Sequence, residues 1–366
     1  MLWDIFCRVI DNHGDLGVCW RLSADLASRG HSVRLWVDDA SALAWMAPDA
    51  KPNAEGRAQL KTATGTVVVR DWQDVLHDQE LPSEVWAEAF GCQLPEHFVN
   101  WAHQSQAHSI SASYPVWLNL EYLSAESYVE RSHKLPSPVM SGPLKGRTKW
   151  FFYPGFNDKT GGLIREASIQ GEWDASAKHA FDQSGSKPFP QKSTLFCYEP
   201  EALVEAMQLA SLSMSGHQWQ VAHGRGAVAF EMALLNLPKH VDPPSHQYMP
   251  ALSQTKFDHL LNSSDLNFVR GEDSLVRALW AGKAFVWQIY TQDDGAHSHK
   301  LNAFLDWLHA PDSLRRFHLC WNGLSQEPLP EVDLPAWQAC TLAAKARLMQ
   351  QMDLVSQLLQ FVEEKR

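Results

Sequence analysis

The stretch Trp3-Asp-Ile-Phe-Cys-Arg-Val-Ile-Asp-Asn-His-Gly-Asp-Leu-Gly17 runs from a β-prone segment straight into a cluster of turn formers. After it, Val18, Leu22, Leu26 and Ala27 recur at helical spacing until Gly30, and Ser32-Val-Arg-Leu-Trp-Val37 returns to strand character. Strand, helix and strand in that order make a βαβ unit, and the handedness of its crossover implies a parallel sheet. Further strands are expected at 66–69, 85–90 and 116–120, so residues 1–150 read as an N-terminal Rossmann-like domain.

The rhythm lapses from about 135 to 192 into Pro, Gly, Ser and Lys, as in Leu135-Pro-Ser-Pro138 and Ser184-Gly-Ser-Lys-Pro-Phe-Pro190, and residues 151–192 are expected to form an interdomain linker. Strands are then expected at 193–198, 218–222, 266–269 and 284–289, with helices at 201–211, near 254–261 and from Glu272, giving a second α/β domain over 193–335. A helical pattern over 337–364 has no strand after it, so residues 336–366 are expected to close the molecule by packing back on the first domain. The expected fold class is α/β, two facing Rossmann-like domains with a cleft between them. Ligands of open α/β sheets sit beyond the carboxyl ends of the strands.

Composition narrows the function. Across 366 residues, 31 Lys and Arg face 42 Asp and Glu for a net charge of -11, which argues against a nucleic-acid partner. The 16 Trp suit aromatic ligand surfaces and large core residues equally. The six cysteines are dispersed without a C-x-x-C pair, so neither a zinc ribbon nor a disulfide framework is expected and a reducing compartment is. The opening residues lack the order of a secretory signal, and no apolar run approaches the roughly 20 residues that span a bilayer. A cytoplasmic protein without a membrane partner is the expectation.

Two motifs carry chemistry. Asp11-Asn-His-Gly-Asp-Leu-Gly17 lacks the G-x-G-x-x-G spacing of a dinucleotide fingerprint, but it sets carboxylates and glycines at a helix start, where N–H groups favour anionic oxygens and Asp15 is placed to act as a base. Asp11 and Asp15 also suit a plain helix cap. Asn267-Phe-Val-Arg-Gly-Glu-Asp-Ser-Leu-Val-Arg277 turns a strand through glycine into a helix whose start can bind a diphosphate, with Arg270 and the Ser274 hydroxyl assisting; Glu272 and Asp273 equally suit an acid-started helix with no ligand. His297 and His299 near Asp293 and Asp294 lack a third ligand at metal spacing, and Ser23 and Ser32 lack the G-x-S-x-G of a hydrolase elbow.

Ile10 to Leu22, together with Arg270-Gly-Glu-Asp-Ser-Leu-Val-Arg-Ala278 and Trp287-Gln-Ile-Tyr-Thr-Gln-Asp293, resembles the EarP family, the bacterial protein-arginine rhamnosyltransferases of translation elongation factor P. The likeness extends over essentially the whole chain. It implies a GT-B glycosyltransferase that moves L-rhamnose from dTDP-β-L-rhamnose to an arginine of elongation factor P with inversion, without metal or cofactor, activating that factor for ribosomes stalled at polyproline. By the same resemblance Asp15 matches the catalytic aspartate and Asp11 the second, with Asn12, His13 and Gly14 completing a donor-binding loop. Arg270, Gly271, Glu272, Asp273 and Ser274 match the R-G-E-D-S segment, in which Glu272 is a second catalytic acid. Phe196 and Tyr198 match an aromatic pair, Pro250, Ala251, Leu252 and Gln254 the base-binding stretch with Phe257 nearby, and Tyr290 a tyrosine close to the diphosphate. Ala251 stands where many relatives are expected to carry an aromatic residue, and His13 where Phe or Tyr is frequent. Beside the diphosphate, Glu272 is expected to turn its backbone N–H to phosphate and its carboxylate to ribose or other catalytic groups. A transferase for a small-molecule or lipid acceptor, and a noncatalytic nucleotide-sugar binding protein, share the same fold.

Overall fold

In the computed structural model, which describes residues 1–10, 13–76, 80–107, 114–171, 189–291 and 295–366, the chain divides into one unit of Met1–Glu166 with Gln351–Arg366 and another of Ala167–Gln350. The first holds β1 (Leu2–Cys7), β2 (Ser32–Val37), β3 (Lys51–Pro52), β4 (Ala58–Lys61), β5 (Thr66–Asp71), β6 (Val85–Ala89), β7 (Val116–Leu120), β8 (Pro136–Pro138) and β9 (Thr148–Phe152). They form one sheet in the order β3-β4-β5-β2-β1-β6-β7-β9-β8, parallel from β5 to β9 and antiparallel at its two edges. The chain builds one way from β1 through β2 to β5 and restarts on the other side with β6, so the topological switch point lies between β1 and β6.

Helices cover both faces of that sheet, which is why its central strands read as nearly continuous apolar runs. Alternation along β1 sends Trp3, Ile5 and Cys7 to a core shared with Leu16, Leu22 and Leu26 of α1 (Gly14–Ser28). Phe6 goes to the other face, where Trp36, Trp86 and Trp117 meet Phe98 and Trp101 of α2 (Glu96–Ala107) in stacked and edge-on contacts. Asp4 is buried on that face, chelated by Arg34 Nε and Nη2 at 2.7 and 2.6 Å and by Trp36 Nε1 at 2.7 Å. Trp3, Trp36, Trp219, Trp321 and Trp337 are fully buried, so much of the tryptophan content builds core.

The second unit is a smaller sheet of β10 (Lys192–Leu195), β11 (Gln218–Val221), β12 (His246–Tyr248), β13 (Leu266–Arg270) and β14 (Ala284–Gln288). Its order is β12-β11-β10-β13-β14 with every pair parallel, which places its switch point between β10 and β13. Its longer helices are α3 (Arg225–Leu235), α4 (Gln254–Ser263), α5 (Gly271–Ala281), α6 (Ala296–Leu308), α7 (Asp312–Trp321) and α8 (Leu334–Met349).

Several boundaries differ from expectation. The segment read as linker from 151 begins inside β9, which pairs with β7, and the first unit continues to Glu166. β9 lies next to the short edge strand β8, and it is illegible in the sequence because four of its five residues are only half buried and neighbouring Pro and Gly mask the strand pattern. The single terminal helix expected over 337–364 is two helices, α8 and α9 (Leu354–Lys365). Asp353 breaks the run by capping α9, accepting from Ser356 N at 2.9 Å. Only α9 belongs to the first unit; α8 belongs to the second. Leu354, Val355, Leu358, Phe361 and Val362 of α9 enter the first unit's core. Arg29, just past the end of α1, binds Asp25, Asp353 and Ser356 at 2.7–3.1 Å, locking the helix that opens at Gly14 to α9. The helix expected over 201–211 is two short ones, Leu203–Ala206 and Ala210–Ser213.

Candidate functional site

The second unit concentrates its chemistry at the carboxyl ends of β10 and β13, the strands flanking its switch point. β13 ends at Arg270 in extended conformation, and Gly271, the first residue of α5, makes at φ +64° the left-handed step that glycine takes without strain. The Ser274 hydroxyl closes this turn, accepting from Arg270 N at 3.1 Å and donating to Arg270 O. The hydroxyl expected to assist a diphosphate thus also bonds the chain's own backbone, because a serine four residues after a strand end reaches the turn behind it. Trp287 Nε1 donates to Gly271 O at 2.8 Å and fixes the turn from β14. Glu272 and Asp273 occupy the first turn of α5.

Above this turn the Arg270 guanidinium lies 4.7 Å from the ring centroids of both Phe196 and Tyr198, and its Nη1 donates to Cys197 O at 3.2 Å. Phe196 meets Phe257 of α4 edge-on at 5.1 Å, and Tyr198 meets the half-exposed Tyr290 edge-on at 5.8 Å. Gln288 Oε1 accepts from Tyr198 N at 2.8 Å, so β14 holds the pair in place. Phe257, Phe196, Arg270, Tyr198 and Tyr290 thus form one continuous band. Pro250 and Ala251 are exposed and Leu252 half-buried on the loop into α4, Ser253 caps that helix, and Gln254 is its first residue.

Three side chains that sequence reasoning passed over join the band or adjoin it. Arg225 opens α3 with its guanidinium 4.8 Å from the Tyr198 centroid and its Nε donating to Glu199 Oε1 at 2.7 Å. That hydrogen bond, with further help from Arg270, holds the Glu199 carboxyl below its ordinary value. Lys300 of α6 donates to Glu272 Oε1 at 2.6 Å. The legible signal was His223-Gly-Arg-Gly226 after β11: Gly224 takes φ +89° and ψ -136°, a region open essentially to glycine, to start α3. Lys300 had no local signal.

In the first unit, Asp11 and Asn12 lie outside the described residues. Asp15 is the second residue of α1 and only 5% exposed, and its Oδ2 accepts from Ile10 N at 3.1 Å. The capping position belongs to His13, whose side chain makes no cap bond and instead meets Trp45 edge-on at 5.7 Å. Asp15 therefore closes the loop back toward β1 from inside the first turn, where the helix dipole favours its charge. Other carboxylates follow the neighbouring strands: Asp38 after β2 accepts from Val9 N at 2.9 Å, Asp39 is held low by Ser41, and Glu121 after β7 is pushed up by burial while accepting from Asn119 Nδ2 at 2.7 Å.

Among the described residues, no group of three or more His, Cys, Asp or Glu is placed to hold a metal ion, and no helix is long and apolar enough to cross a membrane. His297 and His299 lie in the first turn of α6, while Asp293 and Asp294 lie outside the described residues.

Two units built on parallel sheets in one chain, one presenting an aromatic band around an arginine at a helix start and the other a fixed carboxylate at a helix start, have the organisation of the GT-B fold. The chain belongs to the EarP family: residues 3–363 match the family described as Elongation-Factor P (EF-P) rhamnosyltransferase EarP. The protein-arginine rhamnosyltransferase of Pseudomonas putida is 42% identical over 318 residues, spanning 83% of this chain and 80% of that protein. The Pseudomonas aeruginosa protein of the same description is 37% identical and spans 98% of each chain. A solved structure concerned with EarP-mediated arginine glycosylation of translation elongation factor EF-P superposes with a TM-score of 0.57 at 28% identity, covering 100% of this chain and 99% of that one.

Proposed function

We propose that this protein is an inverting, metal-independent glycosyltransferase of the cytoplasm that moves L-rhamnose from dTDP-β-L-rhamnose to an arginine side chain of translation elongation factor P, readying that factor for ribosomes stalled at polyproline. The observation that carries the reading is the Arg270 guanidinium set between Phe196 and Tyr198 beside the start of α5. Cation, ring faces and helix N–H groups together suit a nucleoside diphosphate. The activity named for the Pseudomonas relatives supports the choice of sugar and acceptor residue.

The nucleophile is the difficulty, because a guanidinium with a pKa above about 12 is charged and delocalised. Asp15 supplies what the acceptor lacks. Its Oδ2 is fixed by Ile10 N, which aims the carboxylate, and a carboxylate can accept from a guanidinium N–H. With Asp11 assisting, Asp15 takes a proton as a guanidino nitrogen forms its bond to the anomeric carbon on the face opposite the diphosphate. The bond from that carbon to the phosphate oxygen breaks, the electron pair leaves with dTDP, and a single displacement inverts the centre. Growing charge on the diphosphate is met by the α5 N–H groups, Arg270 and Tyr290. These are the groups that make a divalent ion dispensable in this reading.

Intact-mass analysis of elongation factor P after incubation with the protein and dTDP-β-L-rhamnose tests the proposal. The expected result is the addition of one deoxyhexose, in excess EDTA as well as without it. An unchanged mass under conditions of demonstrated donor binding overturns it; activity lost to EDTA and restored by magnesium overturns metal independence. An acidic protein of net charge -11 is suited to a basic acceptor surface, so the folded acceptor domain is expected to outcompete a linear arginine peptide.

A further inference from the structure

Glu272 presents an electrostatic conflict in the donor reading. It sits in the first turn of α5, where the helix start and Arg270 are to receive a diphosphate, and a carboxylate there repels the ligand that its neighbours attract. The structure supplies a counter-charge from a different helix. Lys300 Nζ of α6 lies 2.6 Å from Glu272 Oε1, and the side chains are only 20% and 19% exposed, so the pair is partly shielded from the solvent that weakens surface ion pairs. Farther along, α5 is anchored separately, by Arg277 gripping Asp258 of α4 with two bonds of 2.9 and 2.8 Å. The fold of α5 therefore has a tether that does not involve Lys300, which leaves the ammonium at the helix start to act on charge and aim.

We infer that Lys300 is a positioning residue for donor binding and transfer: it neutralises Glu272 so that the start of α5 accepts the diphosphate, and it aims the Glu272 carboxylate for its part in transfer. This rests on the donor reading above and deepens it. Without Lys300 the carboxylate keeps its charge beside the phosphates with one counter-charge fewer; without both charges that repulsion is gone, but the carboxylate is missing from the reaction.

The test uses the full-length protein, calorimetry with dTDP, and single-turnover transfer from dTDP-β-L-rhamnose to elongation factor P. Lys300→Met is expected to weaken dTDP binding by about 10-fold to 100-fold, the range of one lost charge-assisted bond, and to slow transfer. Lys300→Arg is expected to restore both. The double variant Lys300→Met with Glu272→Gln is expected to return dTDP affinity close to the parent value while transfer stays low, a split between binding and turnover that loss of a merely structural tether does not produce. Lys300→Met binding dTDP like the parent overturns the inference, as does a double variant that binds as weakly as Lys300→Met. A parent that transfers normally alongside either result leaves the donor reading intact, whereas a parent that binds no dTDP overturns both.

Discussion

The loops that leave β1 and β13 occupy matching places, each beside the switch point of a parallel sheet and each running into a helix, yet they carry opposite charge. After β1 the chain bends an acid back, with Asp15 closing onto Ile10 N and Asp38 taking Val9 N from the next strand. After β13 it presents Arg270 among aromatic rings, with Arg225 stacked on the same Tyr198 and Lys300 covering the local acid. Both helix starts favour anions by their dipoles, so the fold alone does not separate them. Side chains do: in the proposed reading an acidic loop suits an arginine acceptor and a cationic aromatic cluster suits a nucleoside diphosphate.

The largest effect expected from breaking this contrast comes from the acidic side. Asp15→Asn keeps the shape of the loop but removes the proton acceptor, so transfer is expected to fall about 100-fold to 10,000-fold while dTDP affinity changes little. Single-turnover assays and calorimetry on the same variant check it; retained transfer reduces Asp15 to a loop closure. On the cationic side, Arg270→Ala removes one charged partner of the diphosphate and is expected to weaken dTDP about 10-fold to 100-fold. Normal binding by this variant would put the phosphate site elsewhere. Ser274→Ala separates direct contact from turn closure: with the hydroxyl bonded to Arg270's backbone, the variant is expected to lose about 0.5–1.5 kcal/mol of stability and only a few-fold in dTDP affinity. A loss as large as that of Arg270→Ala would restore the hydroxyl to the ligand.

The mildest perturbation is acid, which leaves every residue in place. In the second unit, burial pushes His217 and His318 down to about 4 from 6.5, with His318 Nε2 accepting from Trp287 N at 3.0 Å; in the first unit His133 is pushed down to about 4 as well. A folded pKa below the unfolded one means that the unfolded chain binds more protons, so the stability these imidazoles contribute is complete above about 6.5 and falls as pH drops toward 4. Glu88 of the first unit runs the other way. Burial raises its carboxyl in spite of Lys149, so its contribution is present below the ordinary value of 4.5 and is lost as pH rises. Burial lowers His31 of the first unit as well, but two histidines of the second unit are pushed to about 4 against one of the first, and with the opposing carboxylate of Glu88 amide exchange is expected to show β10–β14 losing more protection than β1–β9 between pH 7 and roughly pH 5. Equal loss in the two sheets would remove this difference between the units.

Much of the fold and of the candidate site was legible because it is written locally. Ser32–Val37 and Val116–Leu120 stand in the structure at the bounds their β-branched and aromatic runs indicate, and both motif loops fall at helix starts where their turn residues put them. Arg270 is read from its own motif; Phe196, Tyr198, Phe257 and Tyr290 came from the family resemblance, and the structure brings them together. What local pattern could not tell was which helix answers which charge. Alternation and turn chemistry act over a few neighbouring residues, so the sequence by itself determined two parallel sheets and the helix starts beside their switch points. Lys300 and Glu272 are 28 positions apart and Arg29 and Asp353 are 324 apart, and neither partner has a local pattern that depends on the other. Such pairs exist only after packing has brought distant helices within bonding distance, and so tertiary structure alone decided that α9 and not α8 is the part of the expected closing segment that completes the first core, and that Glu272 meets a lysine.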